Sequence, residues 1–133
     1  MVVSEMMGAW KQAGRRAFTL VEIMIVVALI GLLAGLAIPR FLKHRKQSQG
    51  RRIVNDARII DAAVDKWALE LGKADGDAVD LASVARYTKG GAINPNDLLG
   101  NSYVIGPVGT NQVMVSPTTK TALAGVGIDW GAF

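Results

Sequence analysis

The sequence predicts an α+β protein: a long N-terminal α-helix, with a transmembrane half and an amphipathic half, followed by a small C-terminal head that contains a β-hairpin. Three patterns predict it. Phe18 to Ile38 is an apolar run with a single charge, Glu22. Ile53, Ala57, Ile60, Val64, Trp67 and Leu71 then recur at spacings of 4, 3, 4, 3 and 4, one apolar stripe on a helix. After Gly72 the chain turns to short pieces broken by glycine, proline and asparagine, the texture of turns and short elements.

The apolar run comes first. At ~1.5 Å per residue it is long enough to cross a ~30 Å hydrocarbon layer as a helix. A secretory signal peptide would have a shorter apolar core closed by small residues, whereas this one ends in Pro39-Arg40-Phe41-Leu42-Lys43. A carboxylate inside a span costs roughly 2.5–3.5 kcal/mol on insertion scales, so an intramembrane acid is by default a functional site. Nothing else in the run can neutralise Glu22. Gly31 and Gly35 form a Gly-x-x-x-Gly pair that allows helix backbones to approach closely, and Pro39 removes one backbone hydrogen bond and favours a kink.

The amphipathic stripe extends the helix to a stop at Gly72. A continuous helix over Phe18–Leu71 would be roughly 80 Å long, far more than one small head can cover. Between the two halves, Arg40, Lys43, Arg45, Lys46, Arg51 and Arg52 place six positive charges in a stretch without acids, and everything from Ile53 onward sums to −3. The excess of +4 is therefore a local basic collar. The collar suits anionic lipid headgroups, with contacts inside an oligomer and nucleic acid as alternatives; Phe41 is the one aromatic residue interleaved with it, which disfavours nucleic acid.

In the head, Asp80 is a good N-cap for a short helix over Leu81–Tyr87, and Gly90-Gly91 with Asn94-Pro95-Asn96-Asp97 breaks it. Tyr103-Val104-Ile105 and Val113-Met114-Val115 are β-prone and flank Gly106-Pro107-Val108-Gly109-Thr110-Asn111, a hairpin on a longer loop. Two strands need a support, which the apolar stripe supplies, with Ile128, Trp130 and Phe133 closing the edge. Trp67 reads as a core anchor. The sequence has no cysteine, so no disulfide or thiolate metal site braces this small core.

Enzyme chemistry finds no foothold. The single histidine, His44, lies in the collar without a paired base or nucleophile, and no phosphate-binding glycine loop precedes a helix. Asp75, Asp77 and Asp80 could offer oxygens to Ca²⁺, but without the EF-hand's terminal Glu; a solvated turn plus an N-cap is the preferred reading. No cofactor is expected.

Phe18-Thr19-Leu20-Val21-Glu22, set behind a leader that holds Lys11, Arg15 and Arg16, resembles the processing and assembly segment of type IV pilins and of the pseudopilins of type II secretion. The resemblance covers residues 14–45; weaker likenesses lie in Trp67-Ala68-Leu69-Glu70 and in the Gly106–Thr110 turn. It implies that a membrane prepilin peptidase cuts between Ala17 and Phe18 and methylates the Phe18 amine. The family's usual residue before the cut is Gly; here it is Ala17, with Gly14 three residues upstream. The family's frequent C-terminal disulfide loop is absent.

Four segments follow from this: a leader over 1–17, a transmembrane and assembly helix over 18–39, its amphipathic continuation over 40–72, and the head over 73–133. The resemblance implies a homo-oligomeric helical filament in which Glu22 of one subunit meets the Phe18 amine of a neighbour, and in which Gly31 to Pro39 is the weak part of the helix. Implied partners are the peptidase, a platform membrane protein, an assembly ATPase and, before assembly, membrane lipid. The expected location is the inner membrane, single-pass with the head outside the cytoplasm, then an extracellular or periplasmic filament. The positive-inside rule taken alone would put Arg40 onward in the cytoplasm; the resemblance implies the opposite topology. A pilus subunit, a secretion pseudopilin and a single-pass anchored domain with no assembly role all remain open.

Overall fold

A computed structural model describes residues 17–133; the leader expected before Ala17, with Lys11, Gly14, Arg15 and Arg16, lies outside the described residues. The chain divides into two compact units, one ending at Ile38 and the other comprising Pro39–Phe133. Helix α1, Leu20–Leu71, belongs to both and contains Pro39.

In the first unit, α1 carries leucine, isoleucine and valine on every side and keeps them exposed; Leu20, Leu32 and Leu36 are each more than 60% accessible. Its apolar stretch is long enough to cross a membrane. An all-round apolar helix with no cover of its own is stable only where lipid or other chains surround it.

In the second unit, Ile53, Ala57, Ile60, Val64 and Trp67 are buried as the spacing predicts. Leu71, the last residue of the predicted stripe, is instead 55% exposed. The reason is local: Gly72 takes φ +61°, Lys73 N–H donates to the Ala68 carbonyl at 2.8 Å, and this closing turn ends the helix before the head can reach Leu71. Lys73 Nζ instead lies 5.4 Å from the centre of the Trp67 ring.

The head packs a short helix, a two-stranded sheet and a second short helix on this stripe. Asp80 caps α2, Leu81–Val84, and a 3₁₀ turn over Ala85–Tyr87 completes the predicted helix. Strands β1, Val104–Ile105, and β2, Val113–Met114, pair antiparallel with Val104 opposite Met114. Helix α3, Pro117–Ala122, was not expected; Ser116 caps it and Pro117 begins it, a start signal that was present in the sequence. Val84, Tyr103, Val108, Val113, Val115 and Leu123 join the stripe in one core, with Ile128, Trp130 and Phe133 packed against it.

Candidate functional site

The site read from the sequence centres on Glu22 and Phe18. Thr19 caps α1: its Oγ1 accepts the Glu22 N–H at 3.2 Å, and its carbonyl accepts the Ile23 N–H at 3.3 Å. Glu22 therefore sits in the first turn, where free N–H groups and the helix dipole favour a negative charge. Thr19 is a residue that the sequence reading passed over. Its signal was there, because Thr19-Leu20-Val21-Glu22 has the Thr-x-x-Glu spacing of a capping box.

Phe18 lies just outside the helix and is 76% exposed. Ala17 precedes it, also exposed and without regular secondary structure. Gly31 and Gly35 have open space around them; a Cβ at either would meet nothing within 4 Å. Their faces are therefore available to another helix. Pro39 has no N–H to give to the carbonyl of Gly35, four residues back.

Two of the three aspartates weighed for a cation are otherwise employed. Asp77 Oδ2 accepts the Ala74 N–H at 3.0 Å. Asp80 accepts the Ala82 N–H at 3.1 Å and the Ser83 hydroxyl at 2.6 Å; the Ser83 hydroxyl, then the Ala82 amide, holds its carboxyl below the usual value of 3.8. Asp75 lies beside Gly109. Among the described residues no group of three His, Cys, Asp or Glu gathers in a way that could hold a metal ion.

One polar clip holds the head to its helix and another braces the head itself. Gln112 Nε2 donates to Asp65 Oδ1 at 2.6 Å and to the Asp61 carbonyl at 3.3 Å, while its Oε1 accepts the Gly109 N–H at 3.1 Å. The buried Asp97 accepts the Leu99 and Asn101 N–H groups at 2.8 and 3.0 Å and the Thr119 hydroxyl. Asp97 thereby ties the loop before β1 to α3. In the sequence Asp97 is legible only as part of a helix break, since its partner Thr119 is 22 residues away.

The collar is exposed at Arg40, Lys43, His44, Arg45, Lys46, Arg51 and Arg52. Gly50 is buried on the other side of the same turn, and a Cβ there would lie 2.1 Å from Ile128 Cδ1. Gln47 Nε2 donates to the Val126 carbonyl at 2.7 Å. The C-terminal residues thus reach the start of this unit's helix.

Residues 12–38 match the family model described as the prokaryotic N-terminal methylation motif. Fimbrial protein Q of Moraxella bovis is 31% identical over 124 residues, which cover 86% of this chain and 77% of that protein. Type II secretion system core protein G of Escherichia coli K12 is 31% identical over 103 residues, 68% of this chain and 71% of that protein. Type IV major fimbrial protein FimA of Dichelobacter nodosus is 39% identical over 61 residues, 46% of this chain and 38% of that protein. No solved structure matches the chain.

Proposed function

Because this chain belongs to the family of type IV pilins and type II secretion pseudopilins, we propose that it is a structural subunit of a pilus-like filament, cut between Ala17 and Phe18 and polymerised through α1. One observation carries the reading. The first unit exposes an all-round apolar helix whose single charge, Glu22, sits one turn from the residue that would become the N-terminus.

Before assembly the helix spans the inner membrane, the head stands outside the cytoplasm, and lipid covers residues 18–39. Cleavage and methylation at Phe18 create a cationic amine next to the first turn. On this reading that amine does not serve the Glu22 of its own chain. The amine of a neighbouring copy meets Glu22 instead, which sets the axial register in a low-dielectric core where an ion pair is screened little. Leu, Ile and Val of residues 18–38 then pack copy against copy, and Gly31, Gly35 and Pro39 mark the stretch where the helix yields during packing. The peptidase, a platform membrane protein and an assembly ATPase supply processing and force.

The match to core protein G over 68% of the chain supports a pseudopilin of type II secretion as the second reading, with a periplasmic rather than an extracellular filament. Expression of the full chain with a pilus machine, followed by shearing, tests the first. Glu22→Ala should be processed normally and yield no sheared filament; normal filaments from that variant would contradict the role of Glu22.

A further inference from the structure

The second half of α1 carries charge that its own head leaves unmatched. His44, Gln47, Ser48, Arg51, Arg52, Asn55 and Asp56 line an open groove of about 650 Å³. His44, Ser48, Arg51, Arg52 and Asn55 are all exposed, on the side of the helix turned away from the buried Ile53, Ala57, Ile60 and Val64. Among the described residues Asp56 is the one carboxylate that lines the groove, against two arginines and a histidine.

Lipid headgroups do not account for the far end of this flank. Arg51 lies ~16 Å along the helix from Arg40, about two Debye lengths at physiological salt. Another flank of the same helix presents carboxylates instead. Asp61 and Asp65 are one turn apart, and Asp65 is exposed while Gln112 Nε2 holds its Oδ1 at 2.6 Å. One carboxylate oxygen of Asp65 is thus oriented and the other is left to a partner. Arg51 and Asp65 are separated by ~21 Å along the axis, so a single chain cannot pair them. Complementary charges set at two heights along one rigid element allow a heterologous, non-closing contact between identical copies.

Resting on the filament reading, we propose that this flank is a contact between copies of the chain, with Arg51 and Arg52 of one copy paired to Asp61 and Asp65 of a neighbour. The planar guanidinium fork suits a carboxylate of fixed orientation, and such pairs favour the correct register over like-charge alternatives.

The chain has no cysteine, so introduced ones report without interference. Arg52→Cys with Asp61→Cys, oxidised in sheared filaments, should give a ladder of covalent oligomers that neither single variant gives; the two positions are ~14 Å apart within one chain, beyond disulfide reach. A second measurement uses charge reversal at Asp61, because Asp65 also anchors Gln112. Arg52→Glu and Asp61→Arg should each lower the filament yield on the order of tenfold, and the double swap should restore most of it.

Wild-type filaments that form while the cysteine pair stays monomeric and the swap fails to rescue would overturn the contact. Filaments that bind a fluorescent oligonucleotide, and lose it in Arg51→Glu/Arg52→Glu with undiminished assembly, would assign the flank to nucleic acid and likewise overturn it. An absence of filaments from the processed wild-type chain would instead sink the filament reading itself, and so is distinguishable.

Discussion

The two halves of α1 are made of the same backbone and meet opposite fates. Before Ile38 the apolar residues surround the helix and nearly all stay exposed; from Ile53 to Ala68 most of them keep to one stripe that the head covers, while Phe41 and Leu42 stay exposed between the two. The difference lies in the period of the apolar pattern, since a stripe can be buried by one small head and a full cylinder cannot. The first half is thus built to be solvated by lipid or by copies of itself, and the second to hold a head at a fixed place on the helix.

That contrast can be broken from either side. A second acid in the first half, Ile30→Asp, should cost roughly 2.5–3.5 kcal/mol of insertion and remove the chain from the membrane fraction and from filaments, with the head's near-ultraviolet circular dichroism in detergent unchanged. A head that unfolds in this variant would show that the halves are not independent.

The second half responds to truncation. Trp67→Ala should destabilise the full chain in detergent by about 3–5 kcal/mol, as for other large aromatic truncations in cores, read from denaturant midpoints while membrane insertion persists. Trp67→Phe should cost much less, because the buried indole N–H has no partner among the described residues and its loss leaves no acceptor stranded.

A smaller effect is expected at Asp97. Asp97→Ala would strand the buried Thr119 hydroxyl, about 1–3 kcal/mol for a buried group left unsatisfied, and free the part-buried Leu99 and Asn101 N–H groups. Hydrogen exchange should speed up first over 97–101 and α3.

Alkaline titration sharpens the comparison further. Burial, then the nearby Asp56 and Asp97 charges, pushes the Tyr103 hydroxyl up to about 12 from its ordinary 10.0. A neutral Tyr103 thus stabilises the head fully below about pH 10, and that contribution is lost as the pH rises from there through about 12. The head should loosen over this window, and Tyr103→Phe should flatten the loss. The smallest change is Ser116→Ala, about 1 kcal/mol for the N-cap of α3, measured as a shift in the same denaturant midpoint.

Legibility in the sequence divides along the same line. Whatever depends on residues one or two turns apart could be read directly: the apolar run, the stripe from Ile53 to Trp67, the Gly72 stop, the Asp80 cap and the strands around Gly106–Asn111. Leu71 fitted the stripe and still ended exposed, because periodicity marks a face but does not say how far the cover extends. Thr19 and the Ser116-Pro117 start were local signals that went unused. Asp97 with Thr119, and Gln112 with Asp65, are long-range pairings that no local pattern announces, and the contact between copies leaves only unmatched charge as its trace.

Most direct for the account's central claim is the mass of the N-terminal peptide from membrane-inserted and sheared protein, taken by tandem mass spectrometry. Processing between Ala17 and Phe18 should give a peptide that begins at Phe18 and carries a methylated amine in both fractions. A peptide that still contains Arg15, Arg16 and Ala17 in assembled material would contradict it.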